Sequence, residues 1–192
     1  TEEDLINIIK KLNKQINLSP QYAISCYIKD CSVGNTILDA QLDLIVNGTV
    51  TEECFPFSSG NKSIPNCIDK CVNNETKIMY KAINAYLTRD YYSEETFYDI
   101  VALIMDQLHK YGPVVSGIDL YQDFVNIAFY KDNCPEYIYR YDGNSEDKGG
   151  HALTIVGYGL KDDRYYWIAQ NSWGSNFCDN GFIKIEFGQV GI

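Results

Sequence analysis

The sequence predicts an α+β protein in two parts, helical over residues 1–80 and β-rich over 81–192. Three observations carry that expectation. The front half spaces its apolar residues as helices do: Leu5, Ile8, Ile9 and Leu12, then Ile37, Leu38, Leu42, Leu44 and Ile45. The back half holds short alternating or β-branched runs at 152–156, 165–169 and 182–187. The change of pattern falls near residue 80, where a Tyr-rich, β-branched stretch at 78–88 reads as a strand.

Taken in order, residues 1–14 form an amphipathic helix, with acids first and lysines last to suit the helix dipole. It has no loop before it and reads as the end of a longer helix. Ser19 caps a second helix with Pro20 in its first turn, running to about Cys26. Residues 31–34 form a turn, and 35–46 a third helix. A Ser/Asn/Gly/Pro loop then carries Cys67 and Cys71. Ser93, Glu94 and Glu95 cap a helix to Lys110, stopped by Gly112-Pro113. His109 rides on its polar end as a solvated side chain. A strand over 114–120 and a turn over 121–124 follow. Residues 130–148 are a polar, Tyr-rich excursion with Cys134. The Gly-Tyr-Gly at 157–159 is expected to turn the chain between two strands.

At 192 residues with 45% hydrophobic content the chain can bury a core, in one domain or two small lobes. No apolar run approaches a membrane span, and no charged-then-apolar leader precedes the first helix. The net charge of −10, with no basic cluster to offset it, argues against a nucleic-acid partner. It suits an acidic lumen or the cell exterior. Seven cysteines together with four sequons, at Asn17, Asn47, Asn61 and Asn74, point to an oxidising compartment. Zinc is a poor alternative for the cysteines of the first half. Their spacings are not those of paired knuckles, and an oxidising compartment favours disulfides. No metal or cofactor is expected.

The chemistry concentrates at 149–182. His151 is one of two histidines in the chain, behind Gly149-Gly150 at a strand start. Asn171-Ser172-Trp173-Gly174 closes the next strand. An amide accepting from one ring nitrogen would fix the tautomer and orientation of His151, and an indole could shield that bond from water. From the residue types alone, a structural histidine and an ordinary turn asparagine stand equally open.

The words themselves go further. GHALTIVGYG, YWIAQNSWG and NGF, with LSPQ earlier and Glu-x-Cys-x-Pro-aromatic at 52–57, resemble the papain-like cysteine peptidases, nearest to the cathepsin C and cathepsin B branches. The resemblance implies a papain-like two-lobe fold, a helical lobe plus a β-barrel-like lobe, with the substrate cleft between them. It implies His151 and Asn171 as catalytic residues and Trp173 as their support. Gly34 would pair with the extended substrate backbone, although Val33 departs from the family's Cys-x-Gly-Gly turn. Gly117 and Gly149-Gly150 stand where side chains line the pocket for the second residue before the scissile bond. Their lack of side chains implies a roomy pocket for a bulky apolar or aromatic group. The resemblance also implies disulfides Cys26–Cys67 and Cys54–Cys71, with Cys31 pairing upstream of Thr1. In the family, the cysteine before the histidine loop pairs near the chain end, where this sequence has Val190-Gly191-Ile192. Cys178 is unusual in its own place, so a relocated Cys134–Cys178 bridge is expected. Two buried thiols, or a partner beyond Ile192, are the alternatives.

The family's nucleophile, an aromatic-flanked cysteine opening the central helix, does not appear in residues 1–192. Counting back from LSPQ places it a few residues before Thr1. The expectation is therefore a peptidase of peptides or proteins, in a lysosome- or vacuole-like lumen or secreted, whose nucleophile lies on an upstream segment or a second chain. A natural cut inside a core helix would expose its apolar face, which favours a sequence that starts part-way through a longer protein. A peptidase-like binding or structural module without catalysis is the rival.

Overall fold

Ser19 shows how the first unit is started. Its N–H bonds the Val50 carbonyl at 2.8 Å, while its hydroxyl accepts the Tyr22 N–H at 3.0 Å. One residue thus closes a β-like contact and caps helix α1, Pro20–Ala23. The computed structural model describes residues 16–30, 34–61, 63–85, 96–127 and 131–192, the side chains of 131–133 excepted. These fall into two compact units, within Glu2–Leu87 and Thr88–Ile192. The helix expected over 1–14, Cys31 and Val33 lie outside the described residues.

In the first unit, α1 widens into a π turn over Ile24–Ile28 and stops at Lys29, which has φ 58°. Gln21 is fully buried and fully satisfied. Its amide nitrogen donates to Ser25 and Ser59, and its oxygen accepts the Ser58 and Ser59 N–H groups. Tyr22, Val50, Cys54, Phe55 and Cys71 form the small core. Disulfides Cys26–Cys67 and Cys54–Cys71 bind it, with Cα separations of 4.7 and 4.4 Å. Helix α2, Ile37–Val46, starts at Thr36, whose hydroxyl accepts the Asp39 N–H. None of its residues is fully buried.

The strand expected over 78–88 does not form in the described part. Residues 78–85 make one isolated bridge, Tyr80 to Thr49, and Ile83 is 99% exposed. β-branched composition favours a strand only where a neighbour offers a ladder and a face to pack on. Here Gly48 lets the chain approach Tyr80 so closely that a Cβ would sit 2.6 Å from its carbonyl.

The second unit is built on a five-stranded sheet in the order β1-β3-β4-β5-β2. The strands are β1 Val114–Tyr121, β2 Ile138–Tyr139, β3 Asp147–Lys161, β4 Arg164–Gln170 and β5 Phe182–Glu186. Pairing is antiparallel except between β2 and β5. Helix α3, Phe97–Lys110, carries a capping box between Thr96 and Asp99. Ser93, the cap favoured by the sequence, lies outside the described residues. Ile104 anchors α3 against a core of Ile118, Leu153, Ile155, Trp167 and Ile185. His109 is exposed, as expected of a solvated side chain, and its Nε2 lies 2.7 Å from the Tyr158 hydroxyl.

Three expectations change here. Gly157-Tyr158-Gly159 does not turn the chain; β3 runs through it to Lys161. A Cβ on Gly159 would lie 2.5 Å from the Tyr166 ring, so the glycine makes room for a cross-strand aromatic. The turn is instead Asp162-Asp163, at φ 49° and 59°, a two-residue hairpin of the kind that needs positive φ at both positions. The turn expected over 121–124 is a helix, α4 Gln122–Ile127, with Phe124 fully buried. The polar excursion of 130–148 holds a 3₁₀ turn at Lys131–Glu136 and strand β2. Its Tyr139 is buried and donates to the Asp123 carboxylate at 2.9 Å. Burial, then that carboxylate, pushes the Tyr139 phenol far above its ordinary range, so it stays a neutral donor.

Candidate active site

His151 is set by β3 and Asn171 by the end of β4. The two strands pair antiparallel with Thr154 opposite Gln170. That register brings a residue three places before Thr154 and the residue just after Gln170 to the same end of the ladder. His151 pairs with Ile118 of β1 and shares the inward face of β3 with Leu153 and Ile155. At Asn171 the chain leaves β4, its N–H held by the Gly181 carbonyl at 2.8 Å.

The side chains meet: His151 Nε2 lies 2.8 Å from Asn171 Oδ1. The orientation of the amide follows from a second bond. The Ser172 backbone N–H, which can only donate, lies 2.8 Å from the same Asn171 atom. That atom is therefore the carbonyl oxygen, and the imidazole nitrogen facing it must carry a proton. Nδ1 is left free to exchange a proton elsewhere. Asn171 is 8% exposed, and its Nδ2 has no partner among the described residues.

The Trp173 ring lies 5.1 Å from the imidazole, tilted by 37°. It stands edge-on to Phe124 at 5.9 Å and to Phe177 at 5.2 Å. Phe124 in turn meets Tyr139 edge-on at 5.0 Å. Nothing in the sequence singles out Phe124, Phe177 or Tyr139. Their one signal is aromatic character, which does not say where a ring points. Cys178 is paired with Cys134, at a Cα separation of 5.1 Å. The bridge thus holds the residue next to Phe177, one ring away from Trp173.

The glycines divide. Gly117 pairs with Ala152 and Gly150 with Asp119, so Gly117 and Gly150 occupy one face of the β1–β3 ladder. By alternation His151 faces the other way. Gly149, at φ 93°, and Gly150 have open space where a Cβ would point. Asp119, exposed on the same face, is a carboxylate the sequence reading passed over. Gly34 belongs to the other unit, where it is exposed at φ 70° with open space around it. Six cysteines are held in disulfides, which removes them as nucleophiles. Among the described residues no group of His, Cys, Asp and Glu could hold a metal ion, and no helix is long and apolar enough to cross a membrane.

The family model described as papain family cysteine protease matches residues 1–192. Cathepsin B-like CP3 of Giardia intestinalis is 33% identical over 90% of the chain, and cathepsin B-like CP2 of the same organism 31% over 90%. Each match covers 53% of the relative, so the chain spans about half the length of these curated proteins. Cathepsin B-like protease 1 of Arabidopsis thaliana is 29% identical over 93% of the chain and 47% of its own length. Among solved structures, procathepsin B S9 from Trypanosoma congolense superposes with a TM-score of 0.77 at 20% identity, covering 100% of the chain and 62% of that protein. At that identity the likeness shows the fold.

Proposed function

Because the chain belongs to the papain family of cysteine proteases, we propose that it supplies the acid/base half of a cysteine peptidase, with His151 as the proton carrier and Asn171 as its orienting group. The observation that carries this reading is the doubly bonded Asn171 oxygen. It holds the proton on Nε2 and leaves Nδ1 for a thiol.

The mechanism follows from that arrangement. A thiolate beside an imidazolium at a helix N-terminus has its pKa lowered by several units, so the ion pair exists at neutral pH. The thiolate attacks the peptide carbonyl, and His151 gives its Nδ1 proton to the leaving amine. Water then attacks the thioester with His151 as base, while Asn171 keeps the ring from turning. Trp173 packs on the imidazole and limits water at the Nε2–Asn171 bond. The nucleophile is assigned to an upstream segment or a second chain, since six of the seven cysteines are bridged and the seventh, Cys31, is followed by Ser32-Val33 and not by the aromatic that flanks the family's nucleophile.

The reading extends to peptide or protein substrates, a lobe division near residue 80, and a lumenal or secreted setting that suits three disulfides. Gly34 meets the substrate backbone, and Gly117, Gly149 and Gly150 leave a roomy pocket for the second residue before the scissile bond. The test is peptide hydrolysis by the full-length protein, measured with and without a thiol-alkylating reagent. Turnover abolished by alkylation and by His151→Ala is the expected result. Turnover that survives either one overturns the proposal, and a folded full-length protein without turnover favours a binding module.

A further inference from the structure

The four sequons are equivalent as sequence, but the first unit treats them in two ways. Two of them have their hydroxyls built into the interior. Ser19, of the sequon at Asn17, is 2% exposed and donates its hydroxyl to the Phe55 carbonyl at 2.6 Å. Thr49, of the sequon at Asn47, is 5% exposed and donates to the Ser19 carbonyl at 2.8 Å. The two sequons therefore belong to one hydrogen-bonded knot. The Asn47 amide is also engaged, its nitrogen donating to Asp43 at the end of α2. Asn17 is itself exposed, but its hydroxyl partner is not.

The other two stand open. Asn61 and Ser63 are both exposed, and Asn61 Oδ1 accepts the Ser63 N–H at 3.0 Å, which holds the two sequon residues together at the surface. Asn74 and Thr76 are exposed as well. Asn74 sits at φ 67° on the tip of a tight turn, where its N–H bonds the Cys71 carbonyl and the Cys71 N–H bonds Glu75. The Cys54–Cys71 disulfide pins the base of that turn without covering its tip. Asparagine tolerates this left-handed conformation better than other residues with a side chain. Each open sequon also stands beside a large apolar side chain left in water. Phe57 is 51% exposed, and its ring lies 3.8 Å from where a Cβ on Gly60 would be. Val72, two residues before Asn74, is 61% exposed. A sugar ring over either would take apolar area out of water.

We propose that Asn61 and Asn74 are N-glycosylation sites, and that Asn17 and Asn47 are not. Transfer needs the amide nitrogen and the hydroxyl two residues on to be presented together. In a unit that has folded before transfer, both hydroxyls of the inner pair are withdrawn and neither of the outer pair is. In the transfer, the asparagine Nδ2 forms a bond to the anomeric carbon of a lipid-pyrophosphate-linked oligosaccharide. The anomeric C–O bond to pyrophosphate breaks, the lipid pyrophosphate leaves with the electron pair, and Nδ2 loses one proton to a base on the transferase.

The experiment takes the full-length protein secreted by a eukaryotic cell line. Peptide N-glycosidase in ¹⁸O-water converts each glycan-bearing asparagine to ¹⁸O-labelled aspartate, and a peptide map reads the four sites. Label at 61 and 74, with none at 17 and 47, is the expected pattern. Asn61→Gln and Asn74→Gln should each lower the intact mass by one glycan, while Asn47→Gln leaves the glycan count unchanged. Label at 17 or 47, or its absence at 61 or 74, overturns the proposal.

Discussion

One oxygen atom carries most of the functional argument. Asn171 Oδ1 accepts both from His151 Nε2 and from the Ser172 N–H, so the ring cannot turn without breaking a bond that is mostly out of water. ¹⁵N spectra of the ring should show Nε2 protonated and Nδ1 bare while His151 is neutral, with only His109 to separate from it. Asn171→Ala frees the ring and should scramble that tautomer preference. In the full-length protein the same substitution should lower kcat on the order of 10²-fold, the usual worth of a positioned acid/base, with KM little changed. A loss in KM alone would assign Asn171 to binding instead of positioning.

At the scale of elements, two devices hold the second unit in place. The first is the capping box of α3, where Thr96 and Asp99 exchange bonds. The Thr96 hydroxyl and backbone N–H hold the Asp99 carboxyl below its ordinary range. A lowered folded pKa means that this contribution is present above the unfolded value and is lost as pH falls through the folded one. Asp99→Asn should therefore narrow the stability gap to wild type on acidification, read as Tm against pH. Thr96→Ala should cost about 1 kcal/mol at neutral pH.

The second device is the Cys134–Cys178 bridge, which closes a separation of 44 residues. By chain entropy it contributes about 4 kcal/mol before any native-state cost. Cys178 adjoins Phe177, and Phe177 meets Trp173. The Cys134→Ser/Cys178→Ser double variant should lose stability of that order and broaden the ring signals of His151 as well. Unchanged ring signals in a destabilised protein would confine the bridge to a structural role.

For the molecule as a whole, the nucleophile is the open variable. Residues 1–192 hold a placed imidazole and an orienting amide, while the disulfides take up six cysteines. Residues 1–192 on their own are expected not to hydrolyse peptides, since removing the nucleophile from such a unit leaves little of its catalysis. On the proposed reading, the full-length protein should hydrolyse them. Thiol-sensitive turnover by residues 1–192 alone would point to Cys31, the one cysteine outside the described residues.

The α+β class, the strands around His151 and the Asn-Ser-Trp-Gly segment were legible in the sequence because each rests on local pattern. Apolar alternation, a proline after a serine cap and two short motifs in order need no knowledge of distant residues. The inward set Leu153, Ile155, Trp167, Ala169, Ile183 and Ile185 could be read the same way, since a half-buried strand writes its burial into every second position. What depends on a partner far along the chain was not legible. Gly157 and Gly159 look like a turn until Tyr166 is laid across the strand. The run at 78–85 looks like a strand, yet it meets no ladder beyond Tyr80. Phe124 and Phe177 are ordinary aromatics until the fold sets them edge-on to Trp173. The four sequons read alike until the knot at Ser19 and Thr49 encloses two of their hydroxyls. Local pattern determined which residues have the chemistry. Only tertiary packing decided which of them meet, because contact across 20 residues or more is set by strand register and core shape, and neither is written in any one stretch of chain.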